Sequence, residues 1–306
     1  MGILAIDFGG TRTRTAWYDA NLEQQARNET PSLVNQPAES VIQRIIETAR
    51  RVVPPGAVIE AVGISAPGPL DSRAGVIRHA KTLPGWVDVP LAAIVGEAFG
   101  APAWMENDAN LAALSEYRLG AGQGCDPMVY LTISTGIGGG AVIGGRLFTG
   151  WSGLAVEPGH MRFTLPDGSV RRLEELASGT AVGQRAQERL ARDAAPSSLR
   201  DAPEINGQIV GQAAQAGDPL ALEVVREAGF WLGLGIVNLL HLLSPQAIVV
   251  GGSVSLLGDL LFDPARAAIK THVLDPAFIP PALIRPAALG DDVCLVGAAA
   301  FALQTL

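Results

Sequence analysis

Residues 132–138 read Thr132-Ile133-Ser134-Thr135-Gly136-Ile137-Gly138, and residues 5–11 read Ala5-Ile6-Asp7-Phe8-Gly9-Gly10-Thr11. Each is the end of an apolar strand with one polar side chain, followed by glycines and a hydroxyl residue. Each leads into a second apolar run, residues 13–18 in the first case and 141–143 in the second. Strand–turn–strand units are common, but one layout recurring in the two halves of a chain predicts two similar domains. A length of 306 residues allows about two domains at roughly 150 residues each.

The segments around these two landmarks alternate between strand and helix patterns. In the first half, 2–7 and 59–65 read as strands, 38–53 as a helix with apolar residues at Val41, Ile45, Ile46 and Ala49, 91–99 as a helix, 103–106 as a strand and 110–117 as a helix. In the second half, 128–133 reads as a strand and 173–191 as a helix interrupted at Ser178-Gly179. Helices follow at 206–216 and 219–243, then a strand at 247–250 and helices at 264–272 and 293–304. Such alternation predicts an α/β chain with mainly internal sheets.

Composition narrows the function classes. The formal net charge is −8, which argues against nucleic acid or an anionic membrane as partner. Lys81 and Lys270 are the only lysines among 22 basic residues, and neither stands in a G-x-x-x-x-G-K-[ST] loop. Any phosphate chemistry must therefore rest on backbone amides, helix dipoles or a metal ion. Cys125 and Cys294 are far apart, as suits a reducing compartment, and form no C-x-x-C metal knuckle. No targeting segment is evident, and the apolar stretch 228–250 is broken by Asn238, His241, Ser244 and Pro245, so a cytoplasmic location is expected.

Five motifs carry potential chemistry. In Asp7-Phe8-Gly9-Gly10-Thr11 the glycines let backbone N–H groups approach an anion, Thr11 adds a hydroxyl, and Asp7 is placed to hold magnesium through water; an ordinary tight hairpin is the plainer reading. The run 134–140, with glycines at 136, 138, 139 and 140, lacks the G-x-G-x-x-G spacing and is better explained by close backbone approach to a ligand. Gly251-Gly252 ends a buried strand where a nucleobase or ribose can lie flat, though a plain strand-to-helix connection reads the same way. In Glu106-Asn107-Asp108-Ala109-Asn110 a carboxylate at a strand end suits a general base, while Asn and Asp are equally at home as helix caps. Glu157, His160 and Glu174 can chelate neighbouring sugar hydroxyls or, less simply, a metal.

Taken together, the chain resembles the repressor–ORF–kinase family of sugar kinases, within the actin-like and hexokinase-like ATPases. The resemblance runs from Leu4 to about Ala302. Its most specific part is 133–160, where STGIGGG, GGRLFTG, GLA and ExGH follow in family order. ENDAN at 106–110, PGW at 84–86, LExxASG at 173–179 and VVGGSV at 249–254 also match. The resemblance implies two actin-like, ribonuclease H-like α/β domains flanking a central cleft. The smaller would comprise 1–106 plus about 293–306, and the larger 107–292.

The same resemblance implies the activity: transfer of the γ-phosphate of ATP, with Mg2+, to the 6-hydroxyl of a hexose or N-acylhexosamine, with glucose or N-acetylmannosamine the first substrates to consider and polyphosphate an alternative donor. Asp108 resembles the catalytic base, and Asn107, Glu157, His160 and Glu174 resemble the sugar-binding residues, with Pro67 and Gly68 lining their pocket. Asp7, Gly9, Gly10 and Thr11 resemble the first phosphate segment, Thr135, Gly136 and Gly138 the second, and Gly251 and Gly252 the adenosine segment. A homodimer is the family expectation.

Family repressors carry a preceding helix-turn-helix. Here the first strand starts at Ile3, so a DNA-binding role is not expected; a catalytically silent sugar-binding or regulatory protein is the alternative. Three departures stand out. Residues 161–172 lack the family's zinc-binding cysteines, so no zinc is expected. Val156 replaces the small residue before ExGH, with Pro158 inside it. Thr82 replaces the usual Asn ahead of the L-x-G-W loop.

Overall fold

A computed structural model describes residues 2–79, 83–192, 194 and 196–306; Thr82 lies outside the described residues. The chain divides into two compact units. The first comprises Met1–Gly120, Thr149–Ala155 and Leu289–Leu306, and the second Ala121–Phe148 and Val156–Ala288.

The first unit is built on strands β1 (Gly2–Phe8), β2 (Arg12–Tyr18), β3 (Gln24–Pro31), β4 (Ile59–Ala66) and β5 (Ala103–Asn107), in the order β3-β2-β1-β4-β5. β1 and β2 form an antiparallel hairpin, β3 extends it, and β4 and β5 run parallel to β1. Every residue of β1 is buried, as a strand covered on both faces requires. Its period-2 alternation sorts two cores. Leu4, Ile6 and Phe8 face helices α1 (Ala38–Arg50) and α2 (Leu91–Phe99), packing with Val41, Ile45, Leu91 and Val95. Ile3 and Ala5 face the other way, packing with Leu111 of α3 (Asp108–Leu119) and with Leu295, Ala298, Ala299 and Ala302 of the C-terminal helix Val293–Thr305. The second layer sits close because a Cβ on Gly63 of β4 would fall on the Ala298 carbonyl, and one on Gly297 on the Leu111 carbonyl. Helix α3 belongs to this unit, so the unit boundary at Gly120 lies one helix beyond the expected division after Glu106.

The second unit repeats the plan. Its strands are β6 (Met128–Ile133), β7 (Ile137–Ile143), β8 (Arg146–Leu147), β9 (Ala247–Gly251) and β10 (Ile284–Pro286), in the order β8-β7-β6-β9-β10. Again the first two strands pair antiparallel and the last two run parallel to the first. The predicted long helix is two, α4 (Leu173–Ala177) and α5 (Gly179–Arg192), broken at Ser178 as expected. Helices α6 (Gly207–Gln215), α7 (Pro219–Leu243) and α8 (Asp259–His272) complete the unit. Its core joins Val129, Leu131, Ile248 and Val250 of the sheet to Leu232, Ile236 and Leu240 of α7.

Two expectations need revision. Gly138–Gly140 are strand residues, paired with Thr132, Leu131 and Tyr130, and the turn is confined to residues 134–136. Helix α8 begins at Asp259, a full turn before Pro264, which it carries inside. Among the described residues no helix is long and apolar enough to cross a membrane; the apolar stretch 228–250 is the end of α7 followed by β9.

Candidate active site

In the first unit the parallel register gathers the candidate residues at one edge. Asp7 is opposite Ser65, Ser65 opposite Glu106, and Ala66 opposite Asn107. The Gly9–Thr11 turn, the Pro67-Gly68 loop and the Asn107-Asp108 junction therefore leave the sheet at the carboxyl ends of β1, β4 and β5. Ligands of open α/β sheets bind outside such strand ends.

Asp7 is buried, and Arg14 of β2 reaches it with an N–H···Oδ2 bond of 3.1 Å. Burial raises its pKa, while the Arg14 charge and the neighbouring Ser65 hydroxyl pull the other way. Arg14 also donates to the Asp291 carbonyl at 3.2 Å, tying the segment ahead of the C-terminal helix to β1. The turn itself is closed by Gly9 N–H donating to Arg12 O at 3.0 Å, and Gly10 and Thr11 are exposed. Below it Phe8 packs on the fully buried Trp86 with ring centroids 5.0 Å apart, which anchors the Pro84-Gly85-Trp86 loop.

At the β5–α3 junction the capping reading is realised. Asn107 is the N-cap, its Oδ1 accepting from Ala109 N at 2.9 Å. Asp108 is the first helical residue and exposed, and its Oδ1 accepts from the same N–H at 2.8 Å. Glu106 is buried instead: its Oε1 accepts from Asn107 N at 2.8 Å and from Asn110 Nδ2 at 3.2 Å. Desolvation raises its pKa, partly offset by those bonds. Of the two carboxylates, Glu106 is the support and Asp108 the one free of burial. Gly68 packs on the Asn107 carboxamide, where a Cβ would come within 3.3 Å of Nδ2.

Cys294, in the first turn of the C-terminal helix, carried no chemical signal in sequence. Its Sγ lies 3.7 Å from the Asp108 carbonyl, and burial together with the charges of Asp7 and Asp108 raises its pKa well above the thiol norm. It thus lies close to both carboxylates.

In the second unit the turn after β6 is held by Gly179 N–H donating to Ser134 O at 2.7 Å and by Thr180 Oγ1 donating to Thr135 O at 2.8 Å. These bonds dock the N-terminus of α5 under Ser134-Thr135. A Cβ on Gly179 would come within 2.8 Å of Ser134 O, and one on Gly207 would strike the Gly179 carbonyl, so glycine is what lets the starts of α5 and α6 converge. Between them lies a cavity of about 800 Å3, whose lining includes Thr135, Thr180, Gln184, Asn206, Gln212 and Ser253. Two helix N-termini and several carboxamides at one cavity favour an anion beside a polar, uncharged group. Among the described residues its lining holds no lysine or arginine. Gly251 and Gly252 are not in that lining but just behind it: Gly252 has φ +86°, and a Cβ there would enter the Ile133 backbone. Thr135 and Ser253 stand in glycine motifs, and the other lining residues named here carried no sequence signal, the lining being drawn from four separate segments.

Glu157, His160 and Glu174 interact electrostatically. The Glu157 pKa is raised first by burial, lowered by His160 and raised again by Glu174. Glu174 also accepts from Ile137 N at 3.0 Å, and a Cβ on Gly136 would collide with its carboxylate, so it braces the glycine turn. Gly138 lies within β7, opposite Thr132. Residues Arg162–Thr164 and Val170–Arg172, in the stretch without cysteines, pair as a small hairpin; Phe163 packs edge-on against Trp231 of α7 at 5.8 Å. Among the described residues no group of three or more His, Cys, Asp or Glu side chains is placed to hold a metal ion.

Two sheets of one shared order, each with glycine turns at its strand ends, define the ribonuclease H-like fold of the actin-like ATPases. Within that class the chain belongs to the ROK family, whose model matches residues 3–305. It is 35% identical to a glucokinase of Streptomyces coelicolor, covering 99% of this chain and 98% of that one. Among solved structures it is similar to a ROK hexokinase of Thermus thermophilus, with 34% identity, TM-score 0.84 and coverage of 100% and 99%. It is also similar to a ROK family glucokinase of Streptomyces griseus in complex with glucose and AMPPNP, with 34% identity, TM-score 0.80 and coverage of 99% and 100%.

Proposed function

We propose that this sugar kinase transfers the γ-phosphate of ATP to the 6-hydroxyl of a hexose, with glucose the first acceptor to test and N-acetylmannosamine the second. The observation that carries the reading is the Glu106-Asn107-Asp108 junction. Glu106 is buried as a support, and Asp108 is left exposed at the positive end of α3. Asp108 is the base that takes the 6-hydroxyl proton as the phosphoryl group arrives. Asn107, Glu157, His160 and Glu174 bind the sugar hydroxyls, with Pro67 and Gly68 beside Asn107.

The second-unit cavity supports a nucleotide donor over polyphosphate. A longer polyanion would need a cationic lining, and among the described residues the lining holds no lysine or arginine, whereas carboxamides suit a nucleoside and the two helix N-termini suit its phosphates. Gly9, Gly10 and Thr11 in one unit and Thr135, Gly136 and Gly138 in the other supply the phosphate-binding amides and hydroxyls, and Gly251-Gly252 backs the nucleoside. A magnesium ion bound chiefly by nucleotide phosphates and water asks for only one or two carboxylates. Asp7 fits that role through water, its position held by Arg14. Magnesium would supply charge neutralisation for the transferred phosphate.

The test is ADP release with magnesium-ATP against glucose, mannose, fructose, N-acetylglucosamine and N-acetylmannosamine. Turnover with glucose is expected; silence across the panel from folded protein would overturn the reading. Asp108→Asn should lower kcat by about 10²–10⁴-fold while sugar binding, followed by calorimetry, persists. Retained turnover would refute the base assignment.

A further inference from the structure

Val156 stands in the left-handed region, with φ +65°. A β-branched residue is a genuine outlier there, since its Cβ and branched methyls crowd the backbone. Such strain persists only where the surroundings over-determine it. Here the half-buried Val156 side chain packs against the second unit's core cluster, which holds it in place. The residue that follows is Glu157, and the residue after that is Pro158, the first of a short 3-10 turn ending at His160.

That turn is clamped onto β7. The Pro158 ring occupies the place a Cβ on Gly139 would take, at 2.7 Å from Cγ, and Gly159 packs so tightly that a Cβ on it would strike the Ile137 carbonyl. His160 N–H donates to Glu157 O and Met161 N–H to Pro158 O, each at 3.1 Å. Glu157 is thus flanked by a side-chain anchor on one side and a fixed ring on the other. Both departures from the family pattern act on the same residue.

We propose that Val156 is a positioning residue: its packing holds the backbone in the left-handed conformation and, with Pro158, fixes Glu157 before sugar arrives, so that the acceptor site selects for one hydroxyl arrangement. This rests on Glu157 binding sugar, as put forward above. Glycine adopts the same φ without strain, so Val156→Gly folds but loses both the anchor and the conformational restriction. Isoleucine keeps both.

The experiment compares wild type, V156G and V156I by steady-state kinetics and by hydrogen exchange. V156G is expected to raise KM for the sugar about fivefold, a loss of positioning, with kcat and KM for ATP within about twofold. The His160 and Met161 amides of V156G should exchange faster, and V156I should match wild type in every measure. Wild-type KM and wild-type exchange in V156G would overturn the proposal, as would a V156I that behaves like V156G. Glu157→Gln separates the two ideas. If it leaves KM for the sugar unchanged, the sugar role of Glu157 falls, and the exchange rates alone decide whether Val156 fixes the turn.

Discussion

Replacing Glu106 separates the two carboxylates that the strand end offers. Its Oε1 accepts both bonds, from Asn107 N and from Asn110 Nδ2. Glu106→Ala leaves both donors without an acceptor in a buried site, at about 1–3 kcal/mol each. With the small cavity added, the loss is about 3–5 kcal/mol, or roughly 10 °C in Tm at about 2–4 °C per kcal/mol. Glu106→Gln retains an oxygen for both donors and removes a charge that burial disfavours, so its loss at neutral pH should be about 1 kcal/mol or less. The pH dependence follows from the raised pKa of Glu106. Between the unfolded and the folded value the native state binds more protons than the unfolded one, so this group's contribution to stability falls as pH rises. The Tm of E106Q relative to wild type should therefore improve from about pH 5 to about pH 8. Thermal unfolding at both pH values reads the stability, and ADP release reads the chemistry. E106Q should keep kcat within about threefold of wild type on the proposal that Glu106 supports the junction and Asp108 takes the proton. Loss of turnover in E106Q, or a Tm as low as that of E106A, would refute this division of roles.

Two further substitutions probe the supports behind the site. Gly252→Ala forces an alanine into a φ +86°, ψ 166° conformation that is essentially glycine's own, at a cost of about 1–3 kcal/mol, and its Cβ must displace the Ile133 backbone; KM for ATP should rise severalfold with KM for the sugar unchanged, measured by varying each substrate in turn. Trp86→Ala removes a fully buried ring stacked on Phe8 beneath the Gly9–Thr11 turn, and chemical denaturation should report a loss of about 3–5 kcal/mol.

The strands and helices with strong periodicity were legible in sequence because each buries one patterned face. Helix α2 and strand β6 match their expected bounds, and α4 and α5 break where Ser178-Gly179 said they would. β3 was not legible: Gln24–Pro31 has no buried residue and pairs only with β2, so no apolar alternation marks it. At the site, the residues within compact motifs could be read, since glycine, hydroxyl and carboxylate stand side by side there. What a single sequence withholds is burial. Glu106 and Asp108 are both carboxylates in the sequence, and what separates them is the turn from strand to helix at Asn107, which leaves Glu106 paired within β5 and Asp108 on the exposed first turn of α3. The carboxamides of the second-unit cavity were invisible for another reason: Gln184 lies on α5, and Asn206 and Gln212 are the cap and a residue of α6, two helices that only converging glycines bring together.

The repeat itself explains how one scaffold came to hold two chemistries. Both sheets deliver their turns at the carboxyl ends of parallel strands, so the backbone presents the same opportunity twice. In the first unit those ends carry Asp7, Glu106 and Asp108, and Arg14, which holds Asp7, also donates to the Asp291 carbonyl. Negative side chains there suit proton abstraction and a divalent cation. In the second unit the corresponding turns carry Ser134, Thr135 and Ser253, and two helix N-termini replace side-chain charge. Neutral donors there suit an anion without a lysine, which is how a chain with two lysines can be built for phosphoryl transfer.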